Sequence, residues 1–104
     1  MSVTERVIFP DIVTDTDPFE LHGGFYRIGT VINGSNNLQL QTLGPDGETW
    51  IDCLDHSIGR SGLSEEISIV PGQYRFHLST DDPVSAAMTS ISNWRYRTSK
   101  ALSD

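Results

Sequence analysis

Apolar and polar residues alternate with a period of two in several separate runs of this chain. Tyr74, Phe76 and Leu78 alternate with Arg75, His77 and Ser79, and Leu38 and Leu40 alternate with Gln39 and Gln41. After Gly23-Gly24, the residues Tyr26, Ile28, Thr30 and Ile32 fall on one face of a further run. Successive side chains of a strand point to opposite faces of a sheet, so each run predicts a half-buried β-strand. Residues 66–70 and 48–51 are rich in strand formers and predict two more.

The punctuation between the runs predicts how they connect. Gly44-Pro45-Asp46-Gly47 places a proline, a backbone-capping carboxylate and a φ-permissive glycine in turn order, so residues 38–43 and 48–51 are expected to form a β-hairpin. Asn33-Gly34 is a strong hairpin signal and is expected to fold the run after Gly24 back onto residues 38–43. Val70-Pro71-Gly72-Gln73 suits a type II turn joining paired strands at 66–70 and 73–80. Gly29 predicts a bulge or a close backbone approach. Residues 55–65 and 80–83 read as loops.

The two ends differ from this middle. Residues 1–22 scatter Val7, Phe9, Ile12 and Phe19 among acids, and Pro10 and Pro18 each remove a ladder donor. Beyond a short strand at 6–9, the segment reads as an extended arm, lying either across its own domain or onto a neighbouring subunit. Residues 85–92 suit a short helix or the approach to a final strand through 91–96. The strand is the reading adopted, because it sets Trp94 and Tyr96 on one face with Arg95 and Arg97 on the other. Residues 99–104 form a polar tail.

The expected architecture is therefore all-β: a single-domain antiparallel β-sandwich, jelly-roll or immunoglobulin-like, of about six to eight short strands. Residues 23–98 would be the sandwich, 1–22 the arm and 99–104 the tail. At 104 residues, a domain buries roughly 65% of its unfolded surface, enough for a two-layer core without metals or disulfides.

Charge narrows the partners. The formal net charge is −7, and eight of the fourteen acids lie in the first 52 residues against two basic ones. Such a balance repels phosphate backbones and anionic headgroups, so neither nucleic acid nor membrane is an expected partner. No apolar window approaches a membrane helix, and residues 1–11 lack the basic start and apolar run of a secretory signal. The single cysteine, Cys53, cannot make an internal disulfide.

No catalytic, cofactor-binding or metal site is predicted. Cys53 and His56 have a ligand-like gap, but structural zinc needs four ligands. Cys53 instead continues the alternation of Thr49 and Ile51 and reads as a small buried hydrophobe. Asp15-Thr16-Asp17 resembles the start of a calcium loop without its glycine or distal glutamate. His77 points away from the apolar face of its strand and reads as a surface residue. The aromatic residues are more suggestive, since Trp, Tyr and Arg concentrate at the energetic centres of interfaces. Val7, Phe9, Ile12, Phe19, Trp94, Tyr96 and Arg97 form the candidate interface. Trp50, Trp94 and Tyr96 equally suit the core, or exposed platforms that stack on sugar rings.

The central pattern GFYRIGTVINGSNNLQLQTLGPDGETWIDC, followed after a loop by ISIVPGQYRFHLS, resembles small β-rich structural proteins of tailed bacteriophages. The shared features are a strand ending in LGPDG-x-TW and one entered through PGQYR, and the likeness spans about Gly23 to Ser79. The resemblance implies a non-enzymatic virion protein made in the host cytoplasm, most simply a capsid decoration or cement protein on the capsid surface. Its expected partners are the major capsid protein or other virion proteins, and copies of itself. A neck or tail component is an alternative, as is a carbohydrate-binding module for host attachment. The family carries no catalytic residues.

Overall fold

A computed structural model describes residues 6–91, and these build two antiparallel sheets facing one another. The strands are β1 (Arg6–Ile12), β2 (Phe19–Leu21), β3 (Gly24–Ile32), β4 (Leu38–Leu43), β5 (Trp50–Asp52), β6 (Gly62–Leu63), β7 (Ile67–Ile69), β8 (Gly72–Leu78) and β9 (Val84–Ser90). One sheet runs β1-β9-β3, with β6 and β7 both on the far edge of β3, and the other runs β2-β8-β4-β5. The all-β sandwich is the architecture the alternation predicts, with nine strands because the arm contributes β1 and β2 and the 55–65 loop contains β6.

The core is the sum of the inward halves of the alternating runs. Tyr26 and Ile28 on β3 and Val84, Ala86 and Met88 on β9 face Leu38 and Leu40 on β4 and Tyr74, Phe76 and Leu78 on β8. Leu21 and Ile69 complete this cluster. Each fully buried aliphatic or aromatic side chain contributes about 1.5–3 kcal/mol of transfer free energy before entropy is subtracted.

The connections depart from expectation. The β4–β5 hairpin forms as predicted: the Asp46 carboxylate accepts from the Glu48 and Thr49 N–H groups at 3.0 and 2.9 Å, and Gly47 takes φ 75°. The other two expected hairpins do not form. β3 and β4 lie in different sheets, as do β7 and β8. Asn33-Gly34 and Pro71-Gly72 therefore turn the chain between layers. Gly72 does not take the positive φ that the third position of a type II turn demands. The Tyr74 hydroxyl instead donates to the Val70 carbonyl at 2.6 Å and holds that corner. The return crossing packs beside it, since a Cβ on Gly23 would lie 3.0 Å from the Pro71 ring.

Pro10 does not end β1. The strand runs past it to Ile12 through a register shift between Phe9 and Ile12, with Asp11 at φ 47° donating its N–H to Ser85 Oγ at 3.1 Å. β1 is an edge strand, where a missing donor costs no ladder bond. Gly29 makes no bulge, as the β3–β9 register is continuous through Gly29–Ala87. The final described strand is β9 at Val84–Ser90, so residues 85–90 are not helical. The expected strand through 91–96 lies, after Ile91, outside the described residues.

Side chains finish several strand edges where backbone runs out. Ser64 Oγ and Ser61 Oγ accept from Ile28 and Ile32 N–H on the edge of β3, both at 2.8 Å. On the edge of β8, Thr16 Oγ1 accepts from Phe76 N–H and Asp15 Oδ1 from Leu78 N–H, both at 3.0 Å, continuing the pairing that β2 begins. Unpaired edges are templates for unwanted association, and these contacts close them.

Candidate functional site

The apolar residues of the arm pack inward. Val7, Phe9, Ile12 and Phe19 are half-buried against the core, and the Phe9, Phe19 and Phe76 rings form a triangle with centroids 5.1–5.8 Å apart. Trp94, Tyr96 and Arg97 lie outside the described residues. The surface that the described residues present is built from the opposite phase of the same strands.

On the outer face of the five-stranded sheet, one row of cross-strand neighbours runs Ile8–Ala87–Gly29–Leu63. Its ends are large and exposed, Ile8 at 57% and Leu63 at 65%, while its middle is a methyl group and a glycine. The result is a trough of about 530 Å³ whose lining includes Arg6, Val31 and Ser85. Val31 is itself 56% exposed, and Phe25 lies farther along the same side of β3. The next row pairs Arg6 with Thr89 and Thr89 with Arg27. Two guanidinium groups thus border an apolar surface on a chain of net charge −7. Clustered exposed apolar side chains of this kind mark interaction surfaces more often than isolated ones do. The signal in the sequence was Phe25 and Val31, apolar residues out of phase with Tyr26, Ile28 and Thr30.

The outer face of the four-stranded sheet is polar and cross-linked. Gln41 sits opposite both Arg75 and Asp52; its Oε1 accepts from Arg75 Nε at 2.8 Å and its Nε2 donates to Asp52 Oδ1 at 2.9 Å. The Arg75 guanidinium lies 4.6 Å from the centroid of the half-buried Trp50 ring, a cation–π contact. Gln39 bonds the Leu54 backbone twice, accepting its N–H at 3.0 Å and donating to its carbonyl at 3.3 Å. His77, expected to be a surface residue, keeps its side chain 45% exposed and places Nδ1 2.9 Å from Asp15 Oδ2. Partial burial pushes the Asp15 carboxyl up, but bonds from His77 and Leu78 N–H and the charges of His77 and Arg75 outweigh it, leaving its pKa lowered.

Cys53 is exposed rather than buried: it follows the last residue of β5, and Ile51, with which it alternates, is itself 46% exposed. Desolvation around the sulfur, then the Asp52 carboxylate, raises its pKa. A thiol shifted that way is a poor nucleophile at neutral pH. Asp15, in a stretch that lacks the glycine and distal glutamate of a calcium loop, is engaged by β8, and among the described residues no three His, Cys, Asp or Glu side chains converge to hold a metal.

Comparison with protein-family models, with curated proteins and with solved structures found no match for this chain.

Proposed function

We propose that the protein is a non-enzymatic structural component of a tailed-phage virion, a decoration or cement protein that sits on the capsid surface and bridges capsomers. The observation that carries this reading is the exposed row Ile8–Ala87–Gly29–Leu63 with its flanking arginines. The phage-like pattern from Gly23 to Ser79 supports it. The partner is a protein surface of the shell that inserts large apolar side chains into the trough and presents acidic groups to Arg6 and Arg27. Burial there stabilises by about 25 cal/mol per Å² before ordering costs. Repetition over a lattice makes a weak contact sufficient, and copies on adjacent capsomers would act together. A neck or tail component would dock by the same face.

Particles stripped of this protein are expected to burst at lower temperature, or under milder osmotic shock, than intact ones. Adding the wild-type chain restores them, and adding a folded Leu63→Glu or Val31→Glu chain does not. If stripped particles are no more fragile, the cement role is wrong. If Leu63→Glu binds like wild type, the five-stranded face is not the contact.

A further inference from the structure

We infer that the outer face of the four-stranded sheet is a binding site for a neutral polyhydroxylated ligand, a mono- or oligosaccharide, seated between Gln39, Asp52 and His77. These residues line a groove of about 350 Å³, within the range of small-ligand sites. Asn37 and Ser57 line its end.

The groove is held rigid from beneath. Gln39 and Gln41 are only 9% and 8% exposed, and their amides are fixed by Leu54, Arg75 and Asp52. Around this floor, hydrogen-bonding groups remain available. Asp15 is an acceptor, so the His77 ring donates Nδ1–H to it and leaves Nε2 on the other side of the ring as a further hydrogen-bonding group. His77 is 45% exposed in its side chain, which leaves that edge accessible. Asp52 uses Oδ1 on Gln41 and retains Oδ2, and the Asn37 amide and Ser57 hydroxyl add donors and acceptors.

The chemistry of this set selects the ligand class. A hard cation wants six or more oxygens, and Asp52 is the one lining carboxylate. An anion would meet that carboxylate, while the bordering Arg75 is already engaged by Gln41 and lies over Trp50. Hydroxyl groups suit it, since each both donates and accepts and a carboxylate can take two neighbouring ones.

The test is a ¹⁵N–¹H NMR titration of the full chain with glucose, galactose, N-acetylglucosamine and their β-linked disaccharides at millimolar concentrations. The expected result is saturable shifts of the backbone amides of residues 37, 39, 41, 52 and 77 with at least one of these sugars. Asn37→Ala and Asp52→Asn should each weaken that binding about five- to tenfold. The amide spectra of the variants, compared with wild type before sugar is added, show that they remain folded. No saturable shift with any of these sugars overturns the proposal, as does binding that Asn37→Ala and Asp52→Asn both leave unchanged. The isolated protein suffices, so the outcome is independent of any role on a particle.

Discussion

The buried Asn36 side chain donates its Nδ2 to the Asp82 carbonyl at 2.7 Å, tying the β3–β4 crossing to the β8–β9 crossing. The same nitrogen donates to the Thr80 carbonyl at 3.1 Å. Asn36 Oδ1 accepts from the N–H groups of Asn37, Ser79 and Thr80 and from the Ser79 hydroxyl, at 2.8–3.2 Å. One side chain that is 1% exposed thus satisfies the backbone of two loops at one end of the sandwich.

Asn36→Ala should therefore cost about 3 kcal/mol or more, since it strands several part-buried backbone groups at once. Asn36→Asp should not restore stability, because a carboxylate cannot donate to the Thr80 and Asp82 carbonyls. Urea unfolding of both variants checks this, and a loss below about 1 kcal/mol for Asn36→Ala would show that the loops hold without it.

Phe76 is fully buried and meets both Phe9 and Phe19. Phe76→Ala is expected to lose about 3–5 kcal/mol, the range for a large aromatic deleted from a packed core. Phe19→Ala, at a half-buried edge position, should lose less. The ordering of their denaturation midpoints is the measurement.

Acid should act on two carboxylates in a defined direction. The Thr49 hydroxyl, then the Thr49 and Glu48 N–H groups, lower the Asp46 pKa from 3.8 to about 2. Asp15 is also lowered, by its partners on β8 against its own partial burial. A folded-state pKa below the unfolded value gives a contribution that is complete above the unfolded pKa and disappears as pH falls through the folded one. The hairpin turn should keep its carboxylate cap down to pH near 2. Carboxyl ¹³C titration should place the Asp46 midpoint there and the Asp15 midpoint below 3.8.

Cys53 should alkylate in the native protein without denaturant, because it is exposed. Its raised pKa makes the reaction slower at neutral pH than for the same residue in the unfolded chain. Following iodoacetamide incorporation by mass, with and without urea, tests both halves; complete protection of the folded protein would restore a buried thiol.

Much of the strand content was legible because it rests on local chemistry. The alternation of Tyr74, Phe76 and Leu78 identifies an inward face wherever that strand is placed, and Pro45-Asp46-Gly47 makes a tight reversal from its own dihedrals and its own carboxylate. The candidate surfaces were less legible. Ile8 and Leu63 lie 55 positions apart in sequence, and the row they terminate exists only because β9 and β3 bring Ala87 and Gly29 between them. Likewise, Asp15 and His77 meet only because the segment before β2 runs along the edge of β8.

Period and turn chemistry alone were enough to establish an antiparallel sandwich with its inward residues. They could not say which strands pair. Side-chain alternation is the same whichever sheet a strand joins, and Asn33-Gly34 or Pro71-Gly72 specifies that the chain turns without specifying what it returns to. Tertiary packing settled that question. β4 and β5 are the only consecutive described strands that pair, while β3 and β4, and β7 and β8, separate into opposite layers where their apolar faces cover one another.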